Sequence, residues 1–331
     1  MKTWMLETNN EPLARSRSFL KAIWDYADLD GMLIPVYQTG HKSVKQTVIH
    51  HPEILQEADP FVPLMQVNAS RMVIQWARKH PNDHMAAVLR ACEIRALYEQ
   101  IKNTGVDLEN WLMIAVDCPA CFPAQDFEWR VEKAGSVEAL TKDVLRNARQ
   151  GGIALDRFRS ACGMCTRPGS PHEDICIGLL GLPVKDIILV NIHNEVMLEK
   201  LDLGKVCDGL APQELVAQRE EMLKAIQQRR ERIRERQVRN LAPDLPADLD
   251  QLTAFLMNCQ PCLSCMEVCP VHAEALIPAV LNRRLTREML RDWLVACAEC
   301  GMCEQACPKQ MPLVAIMDRI RREPKVETLA I

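Results

Sequence analysis

Cys259-Gln-Pro-Cys262-Leu-Ser-Cys265-Met-Glu-Val-Cys269-Pro270 is answered, after a spacer, by Cys297-Ala-Glu-Cys300-Gly-Met-Cys303-Glu-Gln-Ala-Cys307-Pro308. The same C-x2-C-x2-C-x3-C-P run is written twice and takes up eight of the fifteen cysteines. Three thiolates at this spacing on a tightly turning backbone can hold three corners of an iron–sulfur cubane. The fourth cysteine, thrown outward ahead of the proline, reaches a second cluster. The spacing therefore predicts two 4Fe-4S clusters, one held by Cys259, Cys262, Cys265 and Cys307, the other by Cys297, Cys300, Cys303 and Cys269. Each proline closes its turn, because it has no N–H to continue a helix and restricts the residue before it. Zinc takes four ligands in pairs and would leave cysteines over in each run.

Working outward from that stretch, the spacer from Val271 to Ala296 has a helical pattern of Leu276, Val280, Leu281, Leu285 and Leu290. Its length and character favour an all-helical two-cluster unit over residues 251–325. Upstream, Leu241-Ala-Pro-Asp-Leu-Pro246 marks a boundary, and residues 211–250 read as a charged helix followed by a proline-containing linker. The run Arg229-Arg-Glu-Arg-Ile-Arg-Glu-Arg236 interleaves glutamates with its arginines, which predicts a salt-bridged, solvated helix face rather than a nucleic-acid patch.

Composition sets the class. A chain of 331 residues that is 48% hydrophobic has enough apolar material for two domains, and a net charge of −4 gives no reason to expect nucleic acid as a partner. Fifteen cysteines in a chain this long, with a mixed, polar start from Met1 to Arg17, read as metal-binding thiols of a cytoplasmic protein rather than a secreted disulfide scaffold. The apolar runs, such as Ile187 to Val190, are too short to cross a bilayer. Attachment to a membrane complex through partner subunits is compatible with this reading.

Residues 1–210 alternate short apolar strands with amphipathic helices, the pattern of an α/β domain. Phe19, Ile23 and Trp24 sit at helical spacing ahead of the strand Met32–Tyr37, and Met72 to Lys79 is again helical. The strand Met85–Leu89 runs directly into a helix opening at Arg90. That arrangement turns free N–H groups and the positive end of a helix dipole toward the carboxyl edge of a sheet. Arg90, Cys92, Glu93 and Arg95 are therefore candidate cofactor-binding residues, although no Gly-rich fingerprint accompanies them. A second strand, Trp111–Val116, ends in Asp117-Cys118-Pro-Ala-Cys121, and Arg159-Ser-Ala-Cys162-Gly-Met-Cys165 and Cys176 follow. Five thiols around one site predict a third 4Fe-4S cluster with Cys162, Cys165 and Cys118 as ligands and Cys121 and Cys176 competing for the last corner. Four-thiolate zinc and a thioredoxin-like redox pair are the alternatives. Cys207 reads as a buried packing residue.

The doubled motif, on its helical spacer, resembles the helical ferredoxin domain of heterodisulfide reductases and of the iron–sulfur subunits of succinate dehydrogenase type enzymes. Residues from about 15 to 200 resemble the beta subunits of coenzyme F420-dependent hydrogenases and formate dehydrogenases, on Ala87-Val-Leu-Arg-Ala-Cys-Glu-Ile-Arg-Ala-Leu97, Ile114-Ala-Val-Asp-Cys118, and Cys162-Gly-Met-Cys165 with Asp174-Ile-Cys-Ile-Gly178. The chain departs from that pattern at Ala91-Cys92, Ala120-Cys121 and Cys176. The resemblance implies an α/β flavin-binding-type domain with FAD and one 4Fe-4S cluster. With the downstream unit, it implies an oxidoreductase beta subunit that works in a complex. Such a subunit would relay electrons between a catalytic partner, a formate dehydrogenase alpha-type or hydrogenase subunit, and a flavin-linked acceptor. The alternatives are a flavin-free electron wire docked in a heterodisulfide reductase-like or quinone-linked complex, and an enzyme reducing a disulfide or small substrate at Cys118 to Cys176.

Overall fold

The computed structural model describes residues 2–38, 40, 42–150, 158–259, 262–271 and 273–322. Residues 1, 39, 41, 151–157, 260, 261, 272 and 323–325, which fall within the domains and motifs named above, lie outside the described residues. Its centre is a seven-stranded sheet of β1 (Thr3–Glu7), β2 (Gly31–Tyr37), β3 (Val44–Ile49), β4 (Met85–Arg90), β5 (Trp111–Val116), β6 (Ile175–Gly178) and β7 (Ile187–Ile192), in the order β1-β7-β6-β5-β4-β2-β3. The middle four strands, β2, β4, β5 and β6, run parallel, with Met85 opposite Trp111 and Ala115 opposite Cys176. The outer strands β3, β7 and β1 are antiparallel to their neighbours.

Strands buried on both faces should be continuously apolar, with alternate residues facing opposite layers. Ala86, Val88, Leu112, Ile114, Ile175 and Ile177 accordingly face one core, and Ala87, Leu89, Met113, Ala115 and Cys176 the other. The first layer is covered by α1 (Pro12–Ala27), through Phe19, Leu20, Ile23 and Trp24. The second is covered by α2 (Ser70–Lys79) and α3 (Ala91–Thr104), through Val73, Ile74, Ile94 and Leu97. Further helices, α4 (Ala124–Ala134), α5 (Val137–Leu145), α6 (Ser160–Gly163), α7 (Glu195–Lys200) and α8 (Leu203–Val206), complete the α/β unit.

The 27-residue α9 (Gln213–Arg239) leads to a helical unit of α10 (Leu249–Asn258), α11 (Ser264–Glu267), α12 (Ala273–Leu281), α13 (Arg287–Ala296), α14 (Met302–Ala306) and α15 (Leu313–Arg321). The spacer, expected to be largely helical, is two helices, with a break where Arg283 takes a φ of 53°. Thr286 then caps α13 by accepting the Met289 N–H. Leu252, Leu256, Leu290, Trp293, Leu294, Leu313 and Ile316 form the core of this unit, and Ala161 and Met164 of the α/β unit are packed into it. No helix among the described residues is long and apolar enough to cross a membrane.

The charged helix differs from the sequence reading. Arg230 and Arg234 are 1% and 9% exposed, turned inward together with Ile226, instead of lining a solvated face. The reason is geometric: residues four and eleven apart share one face of a helix, so Arg219, Arg230 and Arg234 line up along the junction of the two units. The interleaved glutamates concealed this, because their presence suits a solvated face equally well.

Candidate functional site

The carboxyl ends of β4 and β5 lie side by side, Arg90 opposite Val116, and the segments that follow them carry Cys92, Cys118 and Cys121. The turn at α6 brings Cys162 and Cys165 to the same place. Cys92, Cys118, Cys121, Cys162 and Cys165 line one small cavity together with Cys300 from the helical unit. The space among them is about 30 Å³, the share of one water in the liquid. Three of the thiols are in mutual contact: Cys121 is hydrogen-bonded to Cys118 and to Cys162, and the Cys118 contact and burial push its pKa up to about 11. Cys176 stands apart. It sits on β6 facing the layer of α2 and α3, its thiol 3.1 Å from the Ser170 carbonyl it donates to, and burial raises its pKa to about 12.

The doubled motif sorts its cysteines by neighbour. The charges facing Cys265, after burial, are those of Cys262, Cys307 and Cys259. Those facing Cys303 are Cys297, Cys300, Glu304 and then Cys269. Trp293 donates its indole N–H to the Cys269 sulfur at 3.4 Å. Among the described residues, no three His, Cys, Asp or Glu side chains are gathered as a single-ion site. A cubane places its thiolates on four separate irons and needs a wider ring of sulfurs than one tetrahedral ion.

The four residues expected at an anion pocket go to different places. The Arg90 guanidinium donates to the carbonyls of Val62 and Leu64 at 2.7 and 2.9 Å and pairs with Glu93 at 3.5 Å. Glu93 in turn accepts the N–H of Arg90 at 2.9 Å and of Ala69 at 3.2 Å, so it caps α3 from within. Cys92 faces the thiol cavity, and Arg95 donates to the carbonyls of Ala298 and Arg167.

Beside this site opens a cleft of about 360 Å³, floored by Pro35, Val62, Leu64 and Met65 and rimmed by Lys45, Gln46, Asn68, Arg71 and Gln75. That volume is within the range of small-molecule pockets. Met65 lines both the cleft and the thiol cavity. Asn68 is buried at the cleft, its side chain hydrogen-bonded toward the Cys300 thiol.

Three basic residues missing from the sequence reading complete the surroundings. Arg159 donates to the Cys162 sulfur at 3.6 Å and the Cys300 carbonyl at 3.1 Å. Arg230 donates to the carbonyls of Cys165 and Pro119 at 3.1 and 3.3 Å. Arg219 holds Asp117, at the end of β5, at 2.7 Å, where a Cβ on Gly178 would meet its Nη2 at 2.7 Å. Burial works against the charge of Arg90 and Arg159, and neighbouring groups outweigh it, Cys121 and then Glu93 for Arg90 and Cys162 and then Cys121 for Arg159. The usable signal for Arg159 was its place three residues before a C-x2-C turn. Arg219 and Arg230 had none beyond membership of a charged helix.

No family model matches the chain, and no curated protein matches its sequence. Its fold is similar to that of a chain in the xenon-derivatised F420-reducing [NiFe] hydrogenase complex from Methanosarcina barkeri, at 14% identity and a TM-score of 0.54 over 72% of this chain and 92% of that chain.

Proposed function

We propose that the chain is an iron–sulfur flavoprotein electron-transfer subunit of an oxidoreductase complex of the hydrogenase or formate dehydrogenase type. The observation that carries this reading is the convergence of Cys118, Cys121, Cys162 and Cys165 with Cys300 around one cavity, ringed by buried arginines and sharing Met65 with a ligand-sized cleft. The likeness in fold to a chain of a hydrogenase complex agrees with it.

On this reading Cys118, Cys121, Cys162 and Cys165 hold a third 4Fe-4S cluster, and the doubled motif holds two more in the crossed arrangement. Cys121 takes the corner for which Cys176 competed, because its thiol already touches those of Cys118 and Cys162. The donor set suits the group: a cluster on four thiolates is anionic, and Arg90, Arg159 and Arg230 offer buried positive charge beside it. Lys45, Gln46 and Arg71 would hold FAD in the cleft, Lys45 and Arg71 toward the phosphates. Bound there, a flavin supplies a change from two-electron to one-electron transfer. The chain excludes water with Met65, Val62 and Leu64 and fixes the spacing of the sites through the buried contacts of Arg159 and Arg234. A catalytic partner subunit would supply or take the electrons.

Anaerobic purification followed by iron, zinc and released-flavin quantification on one sample tests the reading. About twelve irons and one flavin per chain are expected, at four irons per cluster. About eight irons, one zinc and no flavin would replace it with a flavin-free wire.

A further inference from the structure

We infer that Arg159 is a positioning residue that couples the Cys118–Cys165 site to the Cys269–Cys303 site and sets the reduction potentials of both. The inference rests on the reading that these cysteines hold clusters. It concerns a residue that is not itself a ligand.

Arg159 touches both sites. Its backbone N–H donates to the Cys121 carbonyl at 3.0 Å. Its Nη2 reaches the Cys162 sulfur at 3.6 Å on one side and the Cys300 carbonyl at 3.1 Å on the other. The sulfurs of Met302 and Met65 lie at 3.8 Å from the same guanidinium. The residue is 7% exposed, and its Nε has no hydrogen-bond partner. Among the described residues no carboxylate lies within ion-pair distance of it. A buried cation without a carboxylate needs negative charge from somewhere. Among the described residues Glu304 acts on it across the seam without pairing with it, and the thiolate-bearing loops are the groups its guanidinium touches, so the anionic sites on either side supply its remaining counter-charge.

The two loops it joins are in contact. A Cβ on Gly301 would collide with the Cβ of Ala161, Gly301 takes a φ of +69°, and Ser160 donates to Glu304 across the same seam. A single charge at this seam acts on both sites at once through a medium that screens it weakly. Reduction adds one negative charge to a cluster, so a fixed positive charge beside it favours the reduced form and raises its potential. One electron leaves one site and arrives at the other, with no bond made or broken.

The test uses the full chain, purified anaerobically, carrying Arg159→Met or Arg159→Lys, with iron per chain and EPR-monitored redox titration as readouts. Arg159→Met is expected to keep its iron while both sites become at least tenfold harder to reduce, about 59 mV each for one electron. Arg159→Lys is expected to recover at least half of that shift, since charge rather than shape carries the effect. Arg146→Met, at an exposed ion pair, should change neither potential. Full iron with unmoved potentials, or a shift confined to one site, would overturn the inference. Should the methionine variant lose iron, the lysine variant decides: full iron with both potentials moved by less than a threefold change in the reduction equilibrium supports the charge role, and iron loss in both variants overturns it in favour of a packing role. About eight irons in the unsubstituted chain would overturn the parent reading, and this one with it, before any substitution is made.

Discussion

The two cysteine-bearing regions reach the same kind of arrangement by different routes. In the helical unit, the thiols come from two short runs whose spacing is local, and the chain needs only a tight turn and one packed spacer to bring them together. In the α/β unit, Cys118 and Cys121 follow the end of β5 while Cys162 and Cys165 arrive on a separate turn about forty residues later, on the order of a whole sheet crossover. The first arrangement is written in the sequence as a motif. The second exists only once the sheet has formed, so the thiols that line the cavity cannot be told by spacing alone from Cys176, which stands apart from it.

The strongest way to break this comparison is to remove thiols one at a time. Cys121→Ser is expected to cost about four irons per chain and Cys176→Ser none, at four irons per cluster, measured by iron analysis on anaerobic protein. Cys307→Ser should extinguish the same EPR signal as Cys265→Ser, and a different one from Cys303→Ser. If Cys307→Ser instead matches Cys303→Ser, each run closes its own cluster and the crossed arrangement fails.

Next in size is the join between the regions. Arg234 pairs with Glu299 at 2.9 and 3.3 Å and also with Asp318, all three largely buried, and Arg321 holds Glu299 at 2.8 Å. Arg234→Met takes one partner from each of two buried carboxylates, and a loss of about 3 kcal/mol in denaturant unfolding is expected, the lower end of the usual range because Arg321 remains on Glu299 and Arg322 on Asp318. A change below about 0.5 kcal/mol would make this a surface-type pair. Gly301→Ala meets both a positive φ and the Ala161 side chain, and about 2 kcal/mol should be lost by the same measurement. The smallest effect expected is Trp293→Phe, which removes one N–H donor from Cys269 and should cost about 1 kcal/mol.

Much of the fold was legible because both-faces-buried strands announce themselves: Met32–Tyr37, Met85–Leu89 and Trp111–Val116 are apolar runs with no competing pattern, and all three are central strands. The edge strand β3, Val-Lys-Gln-Thr-Val-Ile, is only half apolar and went unread, as did the four-residue β6. The site was legible in its thiols and illegible in its charges. Arginine in a sequence looks the same whether solvated or buried, and Arg230 became interior only because α9 crosses the junction with that face inward. Arg90 lines the cleft, as its place at a helix start suggested, but its guanidinium is also held by the Val62 and Leu64 carbonyls and its own N–H by Glu93, three residues on, which spacing alone did not show.

The path of α9 bears on how the molecule comes apart. Arg219 grips the sheet through Asp117, Arg230 grips the Cys118 and Cys165 segments by their carbonyls, and Arg234 grips Glu299 between Cys297 and Cys300. A rise of about 1.5 Å per residue sets these grips roughly 22 Å apart from first to last along one rigid rod. Neither half can melt without stripping the other of partners for buried charge. Calorimetry should therefore record a single cooperative endotherm for the whole chain, and cutting it within Leu241–Pro246 should leave two fragments that hold together rather than two independent proteins.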